Sequence, residues 1–538
     1  MTREVAIVST RNQTTYFAFL TPASVFILFC IAGSLLLGQD RNAALEQAVA
    51  ALRAHSPDAA ISFLEPVVKS QPDDYKAVTL MGMALSANSK SQDAISFFEH
   101  ALQVRPMYPP ALKGLAASEM ALKQHDAAKK HFEQSLIAAP DDPIAHAGLG
   151  DIAFVQSNFA EAVQHFERSG SLYRHDSRLL VEYAKANTQL NQTAKATEAL
   201  NNIPNTADAQ VHFEAGTLLA SLKNYGSAAR QFDLALPAYP DHYSAGFNLV
   251  LARVNAQKYR EAIDAGQKLI ADGYRKAELY NLLAEAYEKA GETKQAYDSL
   301  RTATQLEPSE ETNYIDLITL CINHKNYDLA SEIAGIGLAR LPASERLHLQ
   351  LGVVLAMKAQ LEEAKKQFEF AATLAPDRSL PPVALALVSM QMNRPTDAVL
   401  QLRNRVRQFP TDYLTLWFLG EALNRSGTVP GSPGQKEAVE ALQRSVRLNP
   451  NISQSQELLG KLLARDGHFE EAAVHLERAI TLEPENVAAI YQLAQVYSRK
   501  GNTPRAKELF AKVSKMKAED RDNFTNRRLQ QILRADVQ

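Results

Sequence analysis

Proline recurs in this chain at a fixed interval. Pro72, Pro106 and Pro140 stand 34 residues apart, as do Pro308, Pro342, Pro376 and Pro410, and again Pro450 and Pro484. Their contexts are alike: QPDD, APDD, LEPS, LAPD, FPTD, LNPN and LEPE. Proline cannot continue a helix, and it restricts the residue before it. Each proline therefore closes a unit, and a new helix starts just after it. A chain built this way stacks like units along one axis, so its 538 residues need not divide into ordinary globular domains.

With proline set at position 32, units begin at Arg41, Tyr75, Pro109, Pro143, Ser177, Ala209, Tyr243, Ala277, Glu311, Glu345, Ser379, Tyr413, Ser453 and Val487. The fifth unit is two residues short, around Asn201 to Asp208, and the twelfth carries six extra within Ser426 to Lys436. Position 20 is alanine in every unit, from Ala60, Ala94 and Ala128 to Ala438, Ala472 and Ala506. A position that admits only a methyl group marks the closest approach of two helices. Position 8 is small (Gly82, Gly150, Gly216, Gly352, Gly420, Gly460, otherwise mostly alanine), while position 24 is large (Phe98, Phe132, Phe166, Phe232, Phe368, Phe510, otherwise mostly leucine). Two units invert the pattern, with Val250 against Gly266 and Ile318 against Ala334. Volume is conserved in the swap, so Val250 and Ile318 are expected to be buried near Gly266 and Ala334.

A 34-residue period of two amphipathic helices resembles the tetratricopeptide-repeat family. The resemblance implies an all-α, right-handed α-solenoid (superhelix) of about fourteen helix-turn-helix units over residues 41–520, in a bacterial member of the family. Residues 521–538 would follow as a capping helix, with Arg521, Arg527, Arg528 and Arg534 solvated and Phe524, Leu529, Ile532 and Leu533 available to pack. The short unit, with Pro204, is the expected bend of the superhelix, and the TVPGSPGQ insert the expected mobile loop.

In this family the first helices line a concave binding surface. Two of its known binding chemistries are missing here. Some chaperone-binding members hold a carboxylate with Lys and Asn at positions 5 and 9, where this chain has Lys113/Ala117, Ala147/Asp151, Val181/Lys185 and Phe213/Thr217. An asparagine ladder at position 6, as in O-GlcNAc transferase, would leave more than Asn248 in place. Carried over by position, the candidate peptide-binding residues are Trp417 and Glu421, Glu457 and Lys461, and Tyr491 and Gln495. Trp417 has two open readings, a peptide anchor or a packing residue between units. The function implied is a non-catalytic scaffold for protein or peptide partners. The alternative is an accessory subunit that recruits substrates to a separate enzyme, such as a glycosyltransferase or a secretion or envelope assembly complex.

Composition narrows the classes. There are 57 basic and 60 acidic residues, so the basic excess of a nucleic-acid binder is missing. Two cysteines, Cys30 and Cys321, exclude a disulfide framework or a thiolate metal site in the array. Cys321 lies among Leu317, Leu320 and Ile322, as a buried thiol would. GSPGQK lacks the spacing of a phosphate-binding loop, and no strand precedes Gly335 and Gly337. His131 and His165 read as repeat-face residues. No catalytic residue, cofactor or metal is expected.

Residues 1–40 differ from the rest. No charge occurs from Asn12 to Gln39, and Tyr16 to Gly38 is an apolar stretch long enough to span a bilayer. Arg3 and Arg11 precede it, which keeps the N-terminal tip in the cytoplasm. The expectation is a signal or anchor segment at 16–38. The array would then be membrane-anchored on the extracytoplasmic (periplasmic) side, or exported after cleavage.

Overall fold

The computed structural model describes residues 39–519. The apolar segment 16–38 and the expected capping helix 521–538 lie outside the described residues. Twenty-nine helices and no strand occur among those described. They fall in two compact units that divide between Tyr274 and Arg275. The first carries α1 (Gln39–Arg53) to α15 (Tyr259–Ala271), the second α16 (Ala277–Lys289) to α29 (Thr503–Glu519). Consecutive helices pack in antiparallel pairs, and consecutive pairs stack, so each unit is an α-solenoid.

First helices of the pairs begin at Gln39, Tyr75, Pro109, Pro143, Ser177, Ala209 and His242 in the first unit. In the second they begin at Ala277, Glu311, Glu345, Leu380, Tyr413, Ser453 and Val487. An acid at the boundary between units explains several starts. Asp74 accepts hydrogen bonds from the backbone of Lys76 and Ala77, and Asp142, Asp176 and Asp412 do the same for their helices. An oxygen at that place satisfies amides that the first turn leaves open.

Within each pair the helices touch at the recurrent alanine. All fourteen such residues are buried, from Ala60 to Ala506. Beside this contact the position-24 side chain fills the space left by a small residue. A Cβ on Gly82 would lie 2.8 Å from the Phe98 ring, one on Gly150 2.7 Å from Phe166, and one on Gly216 2.8 Å from Phe232. Gly114, on the first helix of the next pair, closes on Phe98 as well, and Gly148 does the same to Phe132. The aromatic ring therefore joins pairs as well as closing its own. Each such burial contributes about 1.5–3 kcal/mol. The inverted units keep their volume inside: Val250 and Ile318 are fully buried, and Gly266 and Ala334 are buried in the second helices of the same pairs.

The turn inside each pair carries a feature that composition hides. Its central residue has positive φ in all fourteen pairs, yet only Gly291, Gly427, Gly467 and Gly501 are glycine. Ser89 (φ 60°), Lys325 (58°) and Ala359 (61°) adopt the same left-handed conformation. The next amide reaches back to close the first helix, as Lys90 N does to Leu85 O (2.9 Å) and Gln360 N to Leu355 O (2.9 Å). This hydrogen-bonded end fixes the conformation whatever residue occupies it.

One second helix departs from the expected pattern. α8 (Phe159–Arg168) stops early, and a one-turn α9 (Ser171–His175) precedes α10 (Ser177–Gln189). No proline closes this unit. Gly170 turns the chain instead (φ 64°), with the buried Ser169 hydroxyl donating to Phe166 O (2.7 Å).

Two substitutions follow in α20 (Glu345–Met357), α21 (Leu361–Leu374) and the turn between them. Ala359→Gly relieves a left-handed alanine and is expected to stabilise the pair by about 1 kcal/mol in amide exchange. Gly352→Ala collides with Phe368 and is expected to cost about 1–3 kcal/mol. Adding Phe368→Leu recreates the Ala48/Leu64, Ala184/Leu200, Ala284/Leu300 and Ala386/Leu402 combinations and should recover most of that loss.

Candidate functional site

The six residues singled out by repeat position lie on three successive first helices of the second unit: α24 (Tyr413–Arg425), α26 (Ser453–Arg465) and α28 (Val487–Arg499). Trp417 is partly buried, packs against the core of its unit, and tilts over Phe418 at 4.4 Å between ring centroids. It therefore joins packing with a remaining exposed edge. Glu421 is buried and paired with Arg425 Nε at 2.9 Å. Glu457 accepts from Asn486 Nδ2 at 3.1 Å. Lys461 is half-buried and makes no ion pair among the described residues. Tyr491 is exposed and meets Phe510 edge-on at 5.8 Å, and Gln495 is half-buried. An aromatic edge, a lysine and a tyrosine thus keep surface along three neighbouring helices, while both glutamates are engaged.

A second set of polar residues, not singled out from sequence, recurs at a spacing of 19. His146 Nδ1 lies 3.0 Å from His165 Nδ1, His212 2.6 Å from Gln231, His348 2.7 Å from Gln367, and Gln456 2.7 Å from His475. Position 4 of the first helix meets position 23 of the second in each case. Three of these groups also reach the carbonyl of the unit-closing proline six residues upstream: His146 to Pro140 O (3.0 Å), His348 to Pro342 O (3.1 Å) and Gln456 to Pro450 O (3.0 Å). A carbonyl only accepts, so the Nε2 of His146 carries the hydrogen, whereas His348 faces an acceptor at each ring nitrogen, Gln367 Oε1 and Pro342 O. His146 Nδ1 is then an acceptor, and His165 donates to it. At His212 no proline stands six residues upstream, and Nε2 has no partner among the described residues. The missing acceptor is a consequence of the shortened fifth unit.

Two models described as tetratricopeptide repeat match the chain, one over residues 45–111, 114–170, 247–311 and 436–487, the other over 463–524. Together they cover more than half of its residues. The chain belongs to the tetratricopeptide-repeat family. Among curated proteins it is similar to human Protein O-mannosyl-transferase TMTC3, 23% identical over 309 residues, which is 57% of this chain and 31% of the relative. The chain thus spans less than a third of that relative's length. Among solved structures it is similar to yeast Tom70 (18% identity, TM-score 0.40, covering 80% of this chain and 95% of that one). The APC/C hetero-tetramer Cut9–Hcn1 gives 10% identity and a TM-score of 0.34, covering 85% and 96%. MamA gives 21% identity and a TM-score of 0.27, covering 31% and 95%.

In this tetratricopeptide-repeat array the residues nearest to the family's known ligand chemistries serve the fold. Lys113 is buried and paired with Asp142, and burial lowers its pKa. Asn248 is buried and donates to Ser244 O at 2.8 Å within its own helix. Ser432 of GSPGQK caps α25 (Pro433–Leu448), and Gly335 and Gly337 lie inside α19 (Tyr327–Arg340). Burial pushes the Cys321 thiol up to about 11, so it stays protonated and unreactive at neutral pH. The two ends of the TVPGSPGQ insert are hydrogen-bonded: Arg465 donates to Thr428 O (2.7 Å) and Gln435 Oε1 (2.9 Å). Among the described residues no group of three or more His, Cys, Asp or Glu is placed to hold a metal ion.

The histidine pair responds to acid. Burial lowers the pKa of His146, and burial followed by the neighbouring His146 lowers that of His165. Arg168 and Lys129 oppose protonation of His165, while Glu161 favours it. The folded state therefore binds fewer protons than the unfolded one, and stability from this pair falls as pH drops below the unfolded value of about 6.5. Amide exchange in α7 (Pro143–Val155) and α8 should accelerate there. His165→Gln, which copies Gln231 and Gln367, should weaken that acid response.

Proposed function

We propose that this chain is a non-catalytic scaffold that holds protein or peptide partners along the first helices α24, α26 and α28. The observation that carries the reading is the alignment of Trp417, Lys461 and Tyr491, each retaining surface, at neighbouring repeats of the array. Tryptophan and tyrosine supply large contact area for little side-chain entropy, and they dominate binding energy when a partner covers them. Lys461, which makes no ion pair among the described residues, adds a charge that selects an acidic group on the partner. The apolar stretch 16–38 behind Arg3 and Arg11 supports a membrane-tethered or exported array on the extracytoplasmic side. Among the described helices none is long and apolar enough to cross a membrane.

The test uses full-length chain as bait in native extract, beside Trp417→Ala and Lys461→Ala. Partner recovery should fall at least about tenfold for Trp417→Ala and less for Lys461→Ala, with helicity unchanged. Equal recovery by folded variants contradicts the reading.

A second reading rests on the similarity to Protein O-mannosyl-transferase TMTC3. In it the array recruits substrates for a separate glycosyltransferase. Material co-purifying with the chain would then transfer a sugar to a protein acceptor, and the purified chain alone would not.

A further inference from the structure

In a regular repeat, positions 26 and 29 fall in the later half of the second helix, one turn apart on the same face. In the first ten repeats these positions carry three lysines or arginines in twenty places: Lys69, Arg168 and Lys268. In the last four they carry six in eight: Arg407, Arg444, Arg447, Arg478, Lys512 and Lys515. The helices concerned are α23 (Pro395–Gln408), α25, α27 (Phe469–Leu482) and α29. The whole chain has a net charge of −3, so composition does not produce this concentration. A cation near a helix C-terminus suits the helix dipole. That benefit is open to every repeat, yet the first ten rarely take it.

First helices of successive pairs pack on one another, which leaves the second helices on the outer side. Arg444 is half-buried there, and the other five cations are exposed. None of the six makes an ion pair among the described residues. The cations at position 26 are held by neutral groups of the connection before their pair. Arg444 donates to Pro410 O (2.7 Å), Arg478 to Asn451 Oδ1 (2.8 Å) and Lys512 to Pro484 O (3.5 Å). Up to Lys515, the acids of these helices sit in the opposite half, where Glu437 pairs with Arg403 and Glu508 with Arg505. The exception is Glu477, which accepts from the Tyr497 hydroxyl.

The same outer line is apolar in the pairs just before. Position 26 is Ile336 in α19 and Phe370 in α21, 51% and 47% exposed, and Leu400, one turn earlier on α23, is 61% exposed. Three large apolar side chains on successive second helices thus adjoin six cations without a counter-charge. A nucleic-acid groove would interleave its cations with exposed aromatic rings for stacking. The four cationic helices expose none among their described residues. A bilayer interface uses both parts of this face, because phosphates attract the cations while apolar side chains enter the boundary below the headgroups. We propose that the outer face of the second unit, from α19 to α29, docks on an anionic phospholipid surface. The six cations meet headgroup phosphates, and Ile336, Phe370 and Leu400 enter the acyl boundary. The candidate partner surface lies on first helices, so a membrane and a partner need not compete.

The test dilutes full-length chain from detergent into vesicles of phosphatidylcholine, alone or mixed with phosphatidylglycerol. Amide exchange is read in α21, α23, α25 and α27. The neutral vesicles set the baseline, because any insertion of residues 16–38 is common to both. Exchange in these helices should slow on the mixed vesicles, and high salt should remove the effect. Arg407→Gln with Arg447→Gln should cut the protection at least about tenfold. Ile336→Ser with Phe370→Ser should weaken it and leave its salt dependence in place. Both pairs of substitutions change outward-facing side chains, so helicity should hold. Equal exchange on the two kinds of vesicle overturns the proposal, as does protection that either pair of substitutions leaves intact. Protection by polyuridylate or polyglutamate on neutral vesicles, with none from phosphatidylglycerol, assigns the cations to a nucleic acid or an acidic protein and overturns it equally.

Discussion

Everything in the array depends on how closely two helices of a pair can approach. Alanine at the crossing leaves room only for a methyl group, and the buried methyls from Ala60 to Ala506 show that this limit is met in each pair. Close approach makes space scarce beside the crossing, and a position-24 side chain fills what remains against a small residue. Because Phe98 is also met by Gly114 of the next pair, the contact that closes one pair positions its successor. The solenoid follows from a nearest-neighbour rule repeated without a long-range partner.

The apolar half of this design is legible in the amino-acid sequence. The prolines mark the period, the alanines the crossing, and the exchange at Val250 and Ile318 the volume rule. The polar half is hidden there for a physical reason. The link between positions 4 and 23 works with His–His, His–Gln or Gln–His, since imidazole and amide each carry both a donor and an acceptor. No single pair of residues is used throughout, so only the spacing of 19 could have revealed it. The left-handed turn is hidden similarly. Backbone hydrogen bonding enforces it, and ten of fourteen positions tolerate a side chain there.

The candidate surface is legible only in outline. Repeat position places Trp417, Glu457 and Tyr491 at equivalent points of neighbouring helices. It does not show which polar groups have spare bonding capacity. Glu421 is spent on Arg425, one helical turn away, and Glu457 accepts from Asn486 in the connection to the next pair. Side chains on the first helices hold the array together first, as the Lys113–Asp142 pair and the Arg178 bridge between Asp151 and Glu182 also show. A partner can use only what that internal bonding leaves over.

The central claim is that a partner lies along α24, α26 and α28. Site-specific photo-crosslinking of full-length chain in its native cells tests it most directly. A photoreactive side chain would be placed at Trp417, at Tyr491 and at the exposed second-helix residue Val474. The account predicts one shared crosslinked partner from 417 and 491 and none of it from 474. Equal capture at 474, or different proteins from 417 and 491, would contradict it.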